Sequence, residues 1–293
     1  MRPELILAKT HKLDVRSAYS KHFIVVGAGG NGGYLIPNLA RQVAIQNEMR
    51  KVIGQTLHKI TVIDADEVEN KNLVRQNFVE KDIGKNKADV MAQRYSRAFG
   101  VEISFMSKYI ENPEMLGDVV DIDTHTPVIL GCVDNNKTRV IMNDFHKSCE
   151  SFYVDLGNEE FAGQMVVGYN GHGRGHSQPL DDEQVNGPYR FDLPSIVDIH
   201  PEVSEATDKL PHEMSCAESA VSHPQNIMTN QTAANLAMNV CNTLLTANIL
   251  EGEGLDINAV YFNAKVPSFT TIFNKAEIIK ENQNKSRQTQ SVS

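Results

Sequence analysis

The sequence predicts an α/β protein in which a mostly parallel sheet carries helices on both faces and continues into a C-terminal antiparallel extension. In the N-terminal half, short apolar runs rich in β-branched residues alternate with longer segments of helical periodicity, as in strand–helix–strand units. Two β-like segments at 257–262 and 269–273 follow a long helical pattern at 225–250 and predict the extension. With 293 residues and 41% hydrophobic content, the chain is large enough to bury such a core.

The first predicted unit is a strand, a glycine-rich turn and a helix. The strand covers residues 23–26, and the helix covers 34–47 with apolar side chains at helical spacing. Glycines in the turn let a phosphate approach the backbone, and the first N–H groups of a helix have no partner within it. We therefore predict a phosphate site formed by Gly27, Gly29, Gly30 and Gly32. Taken alone, the turn is also compatible with a connection that binds no ligand.

The same alternation continues along the chain. The next predicted elements are strand 59–63, helix 86–99, strand 101–106, strand 127–131, helix 136–147, and strands 152–155 and 163–168. Asp64 ends the strand 59–63, and ligands of such sheets bind outside the carboxyl ends of the strands. Its carboxylate is therefore predicted to accept hydrogen bonds from the ribose of a nucleotide. A surface aspartate that merely ends a strand would give the same pattern.

Changes in composition divide the chain into five parts. An N-terminal extension (1–21) precedes the predicted nucleotide-binding core (22–169). Residues 170–215 are rich in Gly, Pro, His and acids and lack sustained periodicity, which predicts a surface excursion that crosses over the domain. Residues 216–279 would complete the same domain with a helix and strands, and the polar tail 280–293 is predicted to be disordered.

The composition argues against several classes of protein. The 37 Asp and Glu residues against 28 Lys and Arg give a net charge of −9, so we expect no nucleic-acid partner. No segment approaches the roughly 18 apolar residues of a membrane span, and the N-terminal apolar run is too short for a signal peptide. We therefore expect a cytoplasmic protein without membrane contact. The four cysteines form no CxxC pair, so neither a disulfide framework nor structural zinc is expected.

The segment after the second strand carries the most specific pattern in the chain. Residues 64–76 read DADEVENKNLVRQ, and residues 84–88 read GKNKA. In this order after a glycine turn, they resemble the ATP-binding core of the ubiquitin-activating superfamily, the ThiF/MoeB/HesA proteins, with its patterns DxDxVxxxNLxRQ and GxxKA. The sequence GCVDN at 131–135, followed by Arg139, is similar to a further motif of the superfamily. The resemblance implies a Rossmann-like ATP-binding domain.

The resemblance is firm over residues 22–170 and looser over 213–250. Within the superfamily, the helix sequence LARQ, the long gap between helix and strand and the small size resemble the ThiF-like proteins of the PRTRC system. Many relatives carry two CxxC pairs that bind zinc, and this sequence lacks them.

The resemblance implies a role for the polar side chains of these motifs. Arg75 and Lys87 would supply positive charge to a triphosphate, and Asp134 would offer a hard oxygen ligand to Mg²⁺. Asn72 would hydrogen-bond to phosphate oxygens, while Asp64 would hold the ribose. The implied ATP-binding set is completed by Asp66, Gln76 and Asn135.

Cys216 is the cysteine for which the resemblance implies a chemical role. It stands in the sequence SCAESA ahead of the long predicted helix, where some relatives carry a catalytic cysteine. Its thiolate would attack an acyl-adenylate to form a thioester, so we count it as catalytic together with the two cations and Asp134. A packed cysteine at the start of a helix is the alternative. Cys132 and Cys241 lie in apolar patterns and are expected in the core.

Together these expectations predict a homodimeric, ThiF-type adenylyltransferase that depends on ATP and Mg²⁺. It would activate the C-terminal carboxylate of a small ubiquitin-like or sulfur-carrier protein with a flexible C-terminus, releasing pyrophosphate. Two alternatives stay open. An NAD(P)-dependent oxidoreductase is disfavoured because Asp64 lies 32 positions after Gly32, whereas dinucleotide sites place this acid about 20 residues on. A non-catalytic nucleotide-binding scaffold is disfavoured because a protein that has lost its catalytic activity would not need Arg75, Lys87 and Asp134 together.

Overall fold

The computed structural model describes residues 10–17, 19–171, 190–205, 226–247, 254–277 and 279–281. The strands in this part of the chain are β1 (Ser20–Val26), β2 (Lys59–Ile63), β3 (Ile103–Met106), β4 (His125–Gly131), β5 (Ser151–Asn158), β6 (Ala162–Asn170), β7 (Ile257–Asn263) and β8 (Ser268–Phe273). The helices are α1 (Gly30–Val52), α2 (Lys87–Phe99), α3 (Glu114–Gly117), α4 (Asn136–Ser148), α5 (Ile196–Ile199), α6 (Glu202–Glu205) and α7 (Ile227–Thr246). Two 3₁₀ turns, Asn70–Asn72 and Glu80–Asp82, lie between β2 and α2.

These strands form one sheet in the order β3-β2-β1-β4-β5-β6-β7-β8. The first five strands in this order are parallel, and β6, β7 and β8 join them as antiparallel neighbours. The predicted α/β class, with its mostly parallel sheet and its C-terminal antiparallel extension, is confirmed. Because parallel strands end at the same edge of a sheet, the carboxyl ends of β1, β2 and β4 lie side by side.

The sheet separates two hydrophobic clusters, which is why residues 23–26 in the second half of β1 read as an unbroken apolar run. Phe23 and Val25 belong to the larger cluster with apolar side chains of α1, α2 and α7. Ile24 and Val26 belong to the smaller cluster with side chains of α4. Successive residues of a strand face opposite sides of a sheet, so a strand covered on both faces needs apolar residues at every position.

Helix α1 starts earlier than its apolar spacing predicts. The spacing indicates a helix over 34–47, whereas the helix runs from Gly30 to Val52 and includes Pro37. Glycine has a low helix propensity, so the glycine-rich segment reads as a turn from sequence alone. Close packing of Gly32 against Gly27 and Cys132 offsets that propensity, and the glycines form the first turn of the helix.

The segment 190–205 is part of the core, and the prediction of a surface excursion over 170–215 is wrong for it. Phe191, Leu193 and Ile196 are all buried, and Leu193 forms an antiparallel bridge with Tyr169 at the end of β6. The four-residue helices α5 and α6 each bury one residue of their own, Ile196 and Val203, which is too few to give a periodic pattern in the sequence. The helices α5 and α6 then pack against α4.

The two longest helices of the described residues are α1, with 23 residues, and α7, with 20. They pack against each other on one face of the sheet. None of the described helices combines the length and the apolar character that crossing a membrane requires.

Three of the buried histidines have strongly lowered pKa values and are therefore neutral at pH 7. Burial lowers the pKa of His22 to about 4 and lowers the pKa values of His58 and His146 to about 3. Positively charged neighbours lower these pKa values further; Lys59, for example, lowers the pKa of His22. His58 Nδ1 accepts a hydrogen bond from Lys21 N at 2.9 Å, which requires that nitrogen to be unprotonated.

We predict that the protein loses stability between pH 7.5 and 5.5. Histidines of the unfolded chain titrate near pH 6.5, about the ordinary value, whereas the folded pKa values of these three lie well below it, so the unfolded state takes up protons first. The stability is complete above pH 6.5 and falls as the pH drops toward 4, by on the order of 1 kcal/mol per histidine at pH 5.5. Urea denaturation at both pH values measures the loss.

The variant His22→Asn isolates one of the three contributions. Because asparagine does not titrate, this variant should lose about 1 kcal/mol less than the wild type over the same interval. An equal loss in both proteins would contradict the assignment to His22.

Candidate nucleotide-binding site

The turn between β1 and α1 is closed by contacts that only glycine allows. Gly27 has a φ of +95°, and a Cβ on it would lie 2.6 Å from the carbonyl oxygen of Cys132. A Cβ on Gly32 would lie 1.9 Å from the carbonyl oxygen of Gly27. These distances are far below van der Waals contact. The end of β1, the start of α1 and the residue after β4 therefore meet backbone to backbone.

The start of α1 offers unused hydrogen-bond donors. Gly33 N donates to Gly29 O at 3.0 Å, and the N–H groups of residues 30–32 precede this first helical hydrogen bond. A Cβ on Gly29 would lie 3.3 Å from Gln76 Nε2, so the side chain of Gln76 lies next to the glycine turn. Gln76 Oε1 is buried and has no hydrogen-bond partner among the described residues. The N–H groups at such a helix start, next to a glycine that has no side chain in the way, suit the binding of a phosphate.

Asp64 connects the end of β2 to the glycine turn. Its Oδ2 accepts a hydrogen bond from Ala28 N at 2.7 Å, and its Oδ1 accepts one from Asp66 N at 2.9 Å. Burial raises the pKa of the Asp64 carboxyl, and the nearby Lys87 ammonium opposes that rise. Asp64 therefore holds the turn in place, and each of its oxygens keeps a further lone pair for a ribose hydroxyl.

Asp66 holds Lys87 at the carboxyl edge of the sheet. Lys87 Nζ donates to Asp66 Oδ2 at 2.8 Å, and the Tyr109 hydroxyl donates to Asp66 Oδ1 at 2.6 Å. Burial alone would raise the pKa of Asp66, but the Lys87 charge and these two hydrogen bonds hold it below its ordinary value. Burial and the Asp66 carboxylate raise the pKa of Tyr109, which keeps its hydroxyl protonated. Asp66 thus serves to place the cation, and Tyr109 was not among the predicted site residues.

Asn72 and Arg75 differ in how much of their side chain is left for a ligand. Asn72 is buried, and its Oδ1 accepts a hydrogen bond from Glu69 N at 2.8 Å within the 3₁₀ turn. Only its Nδ2 group is left to meet a phosphate. Arg75 is partly exposed and forms no ion pair with any residue that the structure describes. A guanidinium without an ion-pair partner suits the binding of phosphate oxygens.

Asp134 and Asn135 follow the end of β4 and have different surroundings. Asp134 is exposed at this edge of the sheet. Asn135 Oδ1 accepts a hydrogen bond from Thr138 N at 2.8 Å and forms the N-cap of α4. The sequence predicts both as ATP ligands, but the structure gives the carboxamide oxygen of Asn135 to the helix start.

An ion pair below Asp134 holds the turn that carries it. Arg139 Nη2 donates to Val133 O at 3.0 Å, and Arg139 Nε donates to Asp155 Oδ1 at 3.1 Å. Burial raises the pKa of Asp155, while Arg139 opposes the rise. The predicted site omitted Asp155, although a charged residue inside the apolar strand FYVDLG is a signal, since a buried charge needs a partner.

Backbone hydrogen bonds bring the three strand ends together. Gly27 N donates to the carbonyl of the last residue of β2 at 2.8 Å, and Cys132 N donates to the carbonyl of the last residue of β1 at 2.8 Å. Asp64 directly follows β2, and Asp134 lies two residues after Cys132. The glycine turn therefore lies between these two carboxylates along the carboxyl edge of the sheet.

Two of the described cysteines, Cys132 and Cys241, are packed rather than reactive. Burial raises the pKa of the Cys132 thiol and raises that of Cys241 to about 12. Both pack in the larger hydrophobic cluster, which confirms the prediction that they belong to the core. Cys216 lies outside the described residues, so its catalytic role stays a prediction.

The described residues contain no group of three His, Cys, Asp or Glu side chains placed to hold a metal ion. Mg²⁺ is commonly bound through one or two carboxylates together with phosphates of the substrate. The exposed carboxylate of Asp134 at the sheet edge fits that kind of site.

The fold and this edge define an α/β protein with the architecture common to nucleotide-binding domains. The profile of the ThiF family matches residues 2–284, and the chain belongs to this family. The resemblance inferred from the motifs at 64–76 and 84–88 is confirmed, while the assignment to the PRTRC subfamily stays a prediction. No curated protein matches the sequence.

Solved structures share this fold at low sequence identity. Escherichia coli MccB with ATP has a TM-score of 0.56 at 17% identity, covering 88% of this chain and 64% of its own. The microcin C7 biosynthetic enzyme MccB in complex with N-formylated MccA has a TM-score of 0.55 at 18% identity, covering 87% and 64%. PaaA has a TM-score of 0.55 at 15% identity, also covering 87% and 64%. The chain spans 64% of the length of these proteins, and the likeness shows the fold alone.

We predict that Gly32→Ala and Gly33→Ala differ sharply although they are neighbours in one helix. A Cβ on Gly32 would overlap the Gly27 carbonyl, whereas a Cβ on Gly33 meets its nearest atoms at 3.5 Å, an ordinary contact. Gly32→Ala should therefore lower the free energy of unfolding by about 1–3 kcal/mol or more. Gly33→Ala should change it by less than about 1 kcal/mol. Chemical denaturation of both variants measures this, and equal losses would argue against the close approach at Gly32.

Proposed function

We propose that this ThiF-family protein uses ATP to adenylate the C-terminal carboxylate of a small protein or peptide. The observation that carries the proposal is the arrangement at the carboxyl edge of the sheet. The glycine turn, Asp64 and the Asp66–Lys87 pair are joined there by hydrogen bonds of 2.7–2.9 Å. That set matches the needs of a nucleoside triphosphate, with a helix start for phosphate, a carboxylate for ribose and a cation held in place.

The reaction is a transfer of the AMP group to the carboxylate. A carboxylate oxygen attacks the α-phosphorus of ATP, and the bond from that phosphorus to the oxygen bridging to the β-phosphate breaks. The products are an acyl-adenylate, which is a mixed anhydride, and pyrophosphate. Negative charge develops on the leaving pyrophosphate, and cations fixed near it lower the barrier. Arg75 and Lys87 are the residues that we assign to this task.

The ion pair of Lys87 is compatible with phosphate binding. An ammonium has three donors, and the hydrogen bond to Asp66 uses one of them. Asp66 keeps its second partner, Tyr109, so it stays in place if the ammonium turns toward a phosphate. Arg75, without an ion-pair partner among the described residues, would contribute its guanidinium directly.

Mg²⁺ would be held by Asp134 together with phosphate oxygens, and the ion would neutralise phosphate charge. Arg139 supports this role because it holds the carbonyl of Val133, the residue before Asp134, at 3.0 Å. The buried pair of Arg139 with Asp155 makes this turn rigid, which a metal ligand requires.

The family and its structural neighbours support the class of substrate. Structures of MccB were solved with ATP and with N-formylated MccA, so a protein of this fold meets both a nucleotide and a second molecule. For this chain we propose a small ubiquitin-like or sulfur-carrier protein with a flexible C-terminus. We also propose that the enzyme is a cytoplasmic homodimer and that Cys216 takes the acyl group as a thioester.

A dinucleotide-dependent oxidoreductase is the weaker candidate. Asp64 would suit the ribose of NAD as well as that of ATP. The cations Arg75 and Lys87 have no role in hydride transfer, whereas they suit a triphosphate. Fluorescence titration with NADH and with ATP distinguishes the two candidates, since only the favoured nucleotide should bind in the micromolar range.

We predict that Lys87→Ala abolishes ATP–pyrophosphate exchange in the presence of a candidate carrier protein that ends in Gly-Gly. Loss of a fixed cation at the leaving group should reduce the rate by about a hundredfold or more. Lys85→Ala is the matched control, because Lys85 is exposed two residues away and should leave exchange unchanged. Asp134→Ala should abolish exchange as well, with Asp118→Ala as its exposed control. Full exchange in both Lys87→Ala and Asp134→Ala would refute the site assignment.

We predict that Cys216→Ser spares the adenylation step. Exchange depends on the acyl-adenylate, which forms before any thiol attack, so its rate should stay within about twofold of the wild type. A thioester between enzyme and carrier, detected as a band that is sensitive to reducing agents on a gel, should disappear. Cys149→Ser serves as the control cysteine. A thioester that survives in Cys216→Ser would move the role to another thiol.

A further inference from the structure

A proline within α1 leaves one carbonyl of the helix start without its usual donor. In an α-helix each carbonyl accepts a hydrogen bond from the N–H four residues further on, so the carbonyl of Gly33 would accept from residue 37. That residue is Pro37, which has no N–H. The Gly33 carbonyl, in the first turn of α1, is therefore open to a donor from outside the helix.

The side chain of Asn77 binds this carbonyl. Asn77 Nδ2 donates to Gly33 O at 3.0 Å and to the Tyr95 hydroxyl, on α2, at 2.9 Å. Because a carbonyl oxygen can only accept, the contact with Gly33 determines which end of the carboxamide faces α1. A Cβ on Gly33 would lie 3.5 Å from Asn77 N, so the backbone at Asn77 also packs against this turn. One amide group thus joins the starts of a loop and two helices.

The main chain at Asn77 is held as well, from the side of α2. Arg94 Nη1 donates to Asn77 O at 3.0 Å. The same guanidinium forms an ion pair with Asp82, which is buried. The next residue, Phe78, is buried in the larger hydrophobic cluster. Contacts with two different helices therefore fix both the side chain and the backbone of Asn77.

This fixed point directly follows two residues of the candidate nucleotide site. Gln76, next to Gly29, precedes Asn77, and Arg75 stands one residue earlier. On the other side, Arg75 N and Gln76 N donate to Asn72 O at 3.2 and 2.8 Å. Among the described residues no ion-pair partner directs the Arg75 side chain. The position from which its guanidinium extends is therefore set by the backbone between Asn72 and Asn77.

Holding this backbone in place favours the binding of a charged ligand by Arg75. An arginine side chain loses rotamer freedom when it binds, and a loop that also had to become ordered would add to that cost. The anchor at Gly33 belongs to the same helix start that suits a phosphate. The guanidinium and the phosphate site consequently keep one spacing before any nucleotide arrives.

We propose that Asn77 is a positioning residue for the triphosphate. By binding the carbonyl that Pro37 leaves open, it holds Arg75 where the guanidinium meets the β- and γ-phosphates of ATP. The inference rests on the proposed function, and it adds a residue that touches no substrate but sets the affinity for the triphosphate. AMP lacks these two phosphates, so its affinity does not depend on Asn77.

Calorimetric titration of the full chain with ATP and with AMP, in the presence of Mg²⁺, tests this role. Asn77→Ala should raise the Kd for ATP about tenfold, because a guanidinium that is no longer held in place loses part of its interaction. The Kd for AMP should stay within about twofold, since AMP offers no β- or γ-phosphate to Arg75. A general loosening of the domain would weaken the binding of both nucleotides, so the ratio of the two Kd values separates positioning from a structural role.

A double-mutant cycle identifies the residue through which Asn77 acts. Arg75→Ala should raise the Kd for ATP about tenfold or more. Adding Asn77→Ala to that variant should raise it by less than about twofold further, because the group to be positioned is gone. Asn38→Ala is the control, since Asn38 Nδ2 donates to a carbonyl of its own helix at 3.4 Å, and it should leave both Kd values unchanged. Asn77→Leu, which also removes the donor, replaces Asn77→Ala if that variant does not fold.

Three results would overturn the inference and make Asn77 a structural residue. They are an unchanged Kd for ATP in Asn77→Ala, equal losses for ATP and AMP, and additive effects of the two substitutions. None of them touches the proposed adenylation, because the wild-type protein would still bind ATP. A wild-type protein that does not bind ATP would instead refute the proposed function, and the inference with it.

Discussion

The approach of α1 to the end of β1 is the constraint on which the rest of the structure depends. At Gly32 the backbone passes so close to the Gly27 carbonyl that a Cβ would lie 1.9 Å from that oxygen. This contact brings the start of a 23-residue helix to the carboxyl edge of the sheet. The unsatisfied N–H groups of that helix start, and the polar residues at the neighbouring strand ends, are thereby concentrated in one place.

The two sides of the glycine turn have different electrostatic character. On the β2 side, Asp66 holds Lys87 through a hydrogen bond of 2.8 Å, and Arg75 has no ion pair among the described residues. On the β4 and β5 side, charge is neutralised inside the domain by Arg139 and Asp155. The β2 side therefore presents positive charge, while the β4 side presents the exposed carboxylate of Asp134. A nucleoside triphosphate with its divalent cation needs both kinds of charge.

The sequence by itself determined the class of fold and indicated most residues of the candidate site. Strands covered on both faces require unbroken apolar runs, and amphipathic helices require spaced ones, so the order of elements is visible along the chain. The glycine turn and the motif at 64–76 were equally visible, because a backbone contact admits only glycine and because each motif residue lies within one short segment. Cys132 and Cys241 were placed in the core by the same local patterns.

Only the tertiary structure decided which polar groups are already used and which groups meet. Asn72 and Asn135 read as ligands from sequence, but their oxygens bind backbone N–H groups at local turns. Asn31 and Asn158 are 127 residues apart, and Asn158 and Asn230 are 72 apart, so no local pattern relates them. Hydrogen bonds between such distant residues depend on how the helices pack on the sheet, and side-chain periodicity carries no record of them.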